Sequence, residues 1–258
     1  MIYFFIVIIS LMLHELGHYI AAVCCGVGVR KFCIFWDPGF HLFSTGRRCK
    51  TEFCLGWLPL GGYVALKPSD SGNPDRKGCL AGKPLRARLL FYSSGLLVNL
   101  ALAFGCTYIY TDRYFDPMGA HSVACKLDHT VRHMKRRTAS FYQGLLHTSA
   151  HHEGKSGKAA SEIRKGKKHV KAVRKRENEW LRVGLWQFAD VNMMLFLLNL
   201  LPVPPLDGGF ISLQLCRRCS GSMIDERAQT IIVCIGVVLL ILFFTFSYMA
   251  GIIQYLKG

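Results

Sequence analysis

The chain has 258 residues, is 51% hydrophobic, and carries 32 Lys/Arg against 16 Asp/Glu, a formal net charge of +16. Those totals alone exclude little, but their distribution excludes a soluble domain: residues 1–29 hold one charged side chain, Glu15, residues 89–111 and 231–256 hold none, and residues 184–206 hold only Asp190. About 20 apolar helical residues cross a hydrocarbon core ~30 Å thick, so four such stretches define a multi-pass integral membrane protein.

The first predicted helix covers about residues 2–25 and ends near Gly26 and Gly28. It lacks the basic start of a secretory signal, and a His-Glu pair interrupts its apolar run, so it reads as a retained span. In residues 30–66 aromatic residues alternate with turn formers, and Asp37-Pro38-Gly39 between two such segments suggests a β-hairpin. Trp57 to Val64 is apolar but holds Pro59, Gly61 and Gly62, a poor helix. At membrane depth such backbone must be buried in protein or line a wet cavity, which suggests a re-entrant or interfacial element. Residues 67–84 form a loop, and a second span covers about 87–111.

Residues 112–183 form a basic insert, with an amphipathic helix expected around 127–148 and a Lys-rich solvated or disordered stretch at about 153–179. A third span, about 184–206, is broken at Pro202, Pro204 and Pro205, and a fourth closes the chain. The expected fold class is an α-helical polytopic membrane protein of about four transmembrane helices. It carries a membrane-associated β-hairpin or re-entrant element and a basic insert. The expected domains are 1–111, the first half of the membrane core; 112–183, the insert; and 184–258, the second half.

The basic residues lie outside the spans, 11 Lys/Arg against 4 Asp/Glu in residues 30–88 and 17 against 7 in residues 112–183. Anionic lipid headgroups are their expected partner. Nucleic acid is not expected, because no reading motif accompanies the charge. The eleven cysteines are scattered and odd in number, unlike a secreted disulfide framework. Cys216-x-x-Cys219 alone is half a zinc site and reads as structural or incidental.

His14-Glu15-Leu16-Gly17-His18 fits H-E-x-x-H, which on a helix sets both imidazoles on one face with the glutamate beside them as a general base. An ionisable residue at this depth costs about 2.5–3.5 kcal/mol, so Glu15 needs a compensating partner such as a bound Zn²⁺. Catalytic zinc takes three protein ligands, and Asp207, after the prolines and before Gly208 and Gly209, is the candidate third. Taken alone, Asp207 reads equally as a helix N-cap. His129 and His133 share the i, i+4 spacing without a glutamate and read as a solvated face. Asp190 is either functional or at a span's wet end.

HELGH in a first membrane helix with Asn199-Leu-Leu-Pro-Val-Pro-Pro-Leu-Asp207-Gly-Gly in a later one resembles the site-2 protease family of intramembrane zinc peptidases. Leu58-Pro-Leu-Gly61-Gly62-Tyr-Val64 resembles that family's re-entrant β-element, and Ser94-Gly95-Leu96-Leu97-Val98-Asn99 its Gly-Pro-x-x-Asn signature, with Leu96 in place of proline. The resemblance covers about residues 1–111 and 184–258.

It implies one Zn²⁺ per chain on His14, His18 and Asp207, with Glu15 activating water and Asn199 positioning substrate or the oxyanion. Gly61, Gly62 and Asn99 would contact a transmembrane protein or peptide substrate. It also implies a bacterial cytoplasmic (inner) membrane, with the first interspan loop cytoplasmic and the insert outside. A catalytically silent membrane adaptor that binds helices or anionic lipids is the rival expectation. Many bacterial members carry PDZ domains between the second and third spans; the Lys/Arg-rich insert lacks the strand patterning for one.

Overall fold

The structure, a computed structural model, describes residues 2–38, 40–46, 51–58, 61–67, 78–115, 123–146, 179–220 and 226–257. The chain divides into two compact units: Met1–Ala103 with Val191–Gly258, and Phe104–Asp190. The second part of the insert, most of the 67–84 loop, and Pro59-Leu60 fall outside the described residues.

The first unit opens with α1 (Ile2–Cys24). Its buried residues Ile6, Ser10, His14, Gly17, His18, Ala21 and Ala22 recur every three or four positions, one stripe of a helix. Ile2, Phe5, Ile9, Leu16, Ile20 and Val23 stay exposed, as suits a helix whose far side meets lipid. Gly26 ends the helix at φ 64°, letting Val27 N–H reach the Ala22 carbonyl (2.8 Å) and Gly26 N–H the Val23 carbonyl (3.0 Å). This is a Schellman closure, and the αL residue it needs is most readily glycine.

The chain then builds a sheet of four strands, β1 (Val29–Ile34), β2 (Phe43–Ser44), β3 (Glu52–Leu55) and β4 (Tyr63–Leu66), in the order β2-β3-β1-β4. The hairpin expected around Asp37-Pro38-Gly39 does not form between its flanking segments. β1 runs parallel to β3, with Cys33 opposite Cys54, and antiparallel to β4, while the antiparallel partner of β2 is β3. The physical reason lies in Asp37: its carboxylate is held by Lys31 and by the Tyr63 hydroxyl at 2.7 Å, and Phe35 takes a positive φ of 70°. Trp36 then exchanges backbone hydrogen bonds with Leu58, so the chain entering Asp37 is already paired elsewhere.

Cys33 and Cys54 are joined by a disulfide across this register. Tyr19 on α1 packs edge-on against Phe32 (5.3 Å) and Phe53 (5.7 Å), and Ala22, Val27, Val29, Leu80 and Phe91 make the core that seats the sheet on α1 and on α2 (Leu85–Tyr110).

Past residue 190 the same unit contains the end of α4 (Glu179–Asn199), a turn with a cis Pro204–Pro205 bond, α5 (Asp207–Ser220) and α6 (Glu226–Lys257). Cys216 and Cys219 are free, exposed thiols near the end of α5. Among the described residues, three helical segments are long and apolar enough to cross a membrane: Ile2–Cys24, Leu85–Tyr114 and Trp180–Asn199. The fourth expected span falls in α6, a continuous helix of 32 residues whose stretch Ala228–Leu242 is apolar among the described residues. α6 meets the proline turn at Gly236, where an added Cβ would lie 1.6 Å from the Pro204 carbonyl oxygen.

The second unit contains α3 (Val123–Leu146), which meets the expectation of an amphipathic helix in the insert. Trp186 is its centre: Tyr110 lies 5.1 Å from that ring, His133 4.5 Å, and the Arg137 guanidinium 4.8 Å. Arg137 also pairs with Asp190, which assigns that carboxylate a structural partner. The solvated-face expectation for His129 and His133 is corrected here. His129 faces the Thr111 hydroxyl at 3.5 Å, and His133 is half-buried, its imidazole held below the ordinary value by burial and then by Arg137.

Candidate metal centre

The centre is built from three elements of the first unit. α1 supplies His14 and His18, one helical turn apart and 5% and 6% exposed. They fit beneath α2 because of Gly95: a Cβ there would lie 2.5 Å from atoms of both imidazoles. Gly17 does the same for the helix backbones, its absent Cβ standing 3.0 Å from the Ser94 carbonyl oxygen. Close helix contact through small residues is the usual membrane solution, because lipid supplies no hydrophobic drive.

Asp207 comes from the far side of the proline turn. Leu206 accepts the N–H of Phe210 at 3.2 Å, so Leu206 occupies the N-cap position of α5 and Asp207 the first helical one. The N-cap alternative for Asp207 is thereby excluded. Gly208 and Gly209 let α5 fold back on the turn; their Cβ atoms would lie 2.4 Å from the Leu200 carbonyl oxygen and 2.2 Å from the Pro204 nitrogen.

The three side chains converge. Asp207 Oδ2 lies 3.2 Å from His14 Nε2 and 3.2 Å from His18 Nε2, and the two Nε2 atoms are 3.3 Å apart. His18 Nδ1 donates to the Phe91 carbonyl at 2.8 Å, with Ser94 Oγ 3.2 Å away, so its proton sits on Nδ1 and its Nε2 lone pair is free. Asp207 Oδ2 is buried without a hydrogen-bond partner. Lone pairs gathered this closely repel unless a cation lies among them. Zinc–ligand bonds of about 2.0–2.1 Å in tetrahedral array separate ligand atoms by about 3.3 Å, the spacing seen here. Donor set, spacing and orphaned oxygen all fit zinc.

The other expected site residues fall as follows. Glu15 follows His14 on α1, and its Cγ would stand 3.2 Å from a Cβ added at Gly62. Gly62 is wedged between Glu15 and the Cys33 carbonyl oxygen, 2.7 Å from that Cβ position, while Gly61 (φ 121°) has open space around it. Both glycines precede β4, whose only strand partner among the described residues is β1, leaving one edge open. Asn99 is fully buried, its amide 3.0 Å from His14 Nδ1. Asn199 closes α4 with its amide bonded back to the Leu195 carbonyl at 3.1 Å, a contact inside its own helix and not with the three ligands.

Sequence reasoning missed Ser10, Asn192 and Phe91, and gave Ser94 no role beyond its place in a motif. Ser10 was findable, because Ser10, His14 and His18 are one i, i+4 series. A second cluster, Cys33, Asp37 and Cys54, has metal-like spacing. Its sulfurs are spent in the disulfide and its carboxylate on Lys31 and Tyr63.

Two histidines on a helix of membrane-crossing length and a carboxylate from α5 form a triad that could hold a metal ion. The sequence model of peptidase family M50 matches residues 2–243, and the chain belongs to that family. This bears out the resemblance to the site-2 proteases. Relatives from Neisseria meningitidis and Nostoc, each named "Putative zinc metalloprotease", are 38% identical over 105 residues and 28% over 99. The chloroplast membrane metalloprotease ARASP of Arabidopsis thaliana is 28% identical over 102. These alignments cover 39%, 37% and 38% of this chain. They cover 23%, 26% and 22% of the relatives, so the chain spans about a quarter of their length.

Proposed function

We propose that the protein is an intramembrane zinc metalloprotease that hydrolyses peptide bonds of transmembrane substrates. The observation that carries this reading is the cluster of His14 Nε2, His18 Nε2 and Asp207 Oδ2 at 3.2–3.3 Å, with both histidines on a helix apolar enough to cross a bilayer. His14, His18 and Asp207 hold one zinc. Bound there, the metal supplies a Lewis acid that polarises the scissile carbonyl and acidifies water.

The chain's own residues do the rest. Glu15, adjacent to His14, takes the proton of the attacking water and delivers it to the leaving amine. Gly62 brings the chain against Glu15, Gly61 beside it has open space, and the open edge of β4 offers an extended peptide backbone hydrogen bonds, the strand-addition mode of recognition. A substrate helix hides its carbonyls in its own hydrogen bonds, so it must unwind locally before it can pair there. Asn199, at the last residue of α4, is the candidate to face the substrate backbone once its bond to Leu195 is released. The exposed Arg132, Lys135 and Arg136 of α3 suit anionic headgroups. The membrane is the bacterial cytoplasmic one.

The test is cleavage of a single-span substrate in membranes by wild type and by Glu15→Gln, with zinc measured on both purified proteins. Cleavage by wild type alone, with about one zinc per chain in both, is expected. A wild type that holds no zinc sinks the proposal in favour of a silent adaptor.

A further inference from the structure

Both histidines present their second ring nitrogen to a fixed partner, and the two partners differ in kind. His18 Nδ1 meets a backbone carbonyl, Phe91 O, which can only accept. His14 Nδ1 meets a side-chain amide, that of Asn99, on α2. Asn99 is 0% exposed, an expensive place for an amide unless it is used.

The two ends of an amide are nearly equal in size, so hydrogen-bond chemistry decides which end faces His14. Here Nδ2 stands 3.0 Å from His14 Nδ1, while Oδ1 is the buried end with no partner. A histidine that binds a cation through Nε2 carries its proton on Nδ1 and needs an acceptor there. Asn99 Oδ1 is that acceptor, and it reaches His14 when the amide turns half a revolution about its own bond.

We infer that Asn99 is a positioning residue of the metal centre, holding His14 by an Nδ1–H···Oδ1 hydrogen bond so that Nε2 faces the cation. The inference rests on the zinc reading of the site and replaces the substrate-contact role expected for Asn99 from the sequence. A fully buried side chain bonded to a ligand has no surface left for a peptide. It also assigns the two helices distinct duties: α1 carries the ligands, and α2 orients both, one through Phe91 O and one through Asn99, eight residues further along.

The experiment measures zinc affinity of the purified full chain by competition with a chromophoric chelator, and the visible spectrum of the Co²⁺-substituted protein, for wild type, Asn99→Leu and Asn99→Asp. Leucine keeps the volume and removes the acceptor; aspartate offers an acceptor at either end. Asn99→Leu is expected to bind zinc about 10- to 100-fold more weakly, the usual loss when such an outer partner is removed. Its metal-free melting temperature should stay close to wild type. Asn99→Asp is expected to bind at least as tightly as wild type and to keep the tetrahedral Co²⁺ spectrum.

Wild-type affinity in Asn99→Leu overturns the inference. So does a loss of tenfold or more in Asn99→Asp, which stays decisive if the leucine variant does not fold. Wild type that binds no zinc would overturn the site reading itself, a separate failure from an Asn99 that makes no difference.

Discussion

Asn192 donates a hydrogen bond to the Ser10 hydroxyl at 2.9 Å, and both residues are fully buried. Ser10 lies one turn before His14, and Asn192 about two turns before the end of α4, so the bond pins α1 to the helix that leads into the Asp207 turn. Interhelical hydrogen bonds in membranes are worth about 0.6 kcal/mol on average and up to about 1.7. Unfolding of Ser10→Ala, Asn192→Leu and the double variant in bicelles should return a coupling energy in that range. A coupling indistinguishable from zero would show the pair to be incidental.

Gly95 sets the clearance between α2 and the histidine pair. Gly95→Ala puts a methyl 2.5 Å from both rings, so zinc affinity should fall by at least tenfold with helix content retained. Gly105→Ala, with nothing within 4 Å, is the control and should bind as wild type does. Equal zinc content in the two variants, measured by elemental analysis after dialysis, would contradict this account.

Gly62 offers the converse. A valine there meets the Cys33 carbonyl and Glu15 but is not placed against the metal ligands. Cleavage of a single-span substrate should drop at least tenfold while the zinc content stays at wild type. Joint loss of zinc and cleavage would place Gly62 in the metal centre's support, not in the substrate path.

The sheet should respond to pH through Asp37 and Lys31. Burial alone would raise the Asp37 carboxyl, but hydrogen bonds from Lys31 and Tyr63 outweigh it and hold it below the ordinary aspartate value. Burial alone would lower the Lys31 ammonium; Asp37 and Tyr63 outweigh that too and raise it. A depressed carboxyl stabilises the fold above its unfolded value and loses that contribution as pH falls through the folded one. A raised amine stabilises below its unfolded value and loses it as pH rises through the folded one. Melting temperature should therefore fall at both extremes, and Asp37→Asn should flatten both arms, read by circular dichroism across pH. An Asp37→Asn profile that overlays wild type would refute this assignment.

The membrane character, H-E-x-x-H and the Asp207 turn were legible because each rests on local chemistry: charge-free runs, one helical face, prolines followed by glycines. The sheet was not legible. β1 pairs with β3 in parallel across intervening chain, and no local alternation encodes a parallel partner. Cys33 and Cys54 were hidden for the same reason, since their meeting depends on that register. Asn99 was visible as a motif residue, yet its duty could not be read before the distance to His14 was known. The solvated face assigned to His133 failed because Trp186, far away in sequence, packs against its ring, with Arg137 one helical turn on beside both.

Among the described residues, α6 contributes no ligand to the centre described above. Its backbone nonetheless stands so close to Pro204 at Gly236 that no other residue fits without displacement, and Pro204 is three residues from Asp207. The last helix is therefore a gauge block for the third ligand, setting its depth by thickness and not by chemistry. A methyl group wedged into that seam would be felt as a misplaced carboxylate, a disturbance of the centre that touches none of its ligands.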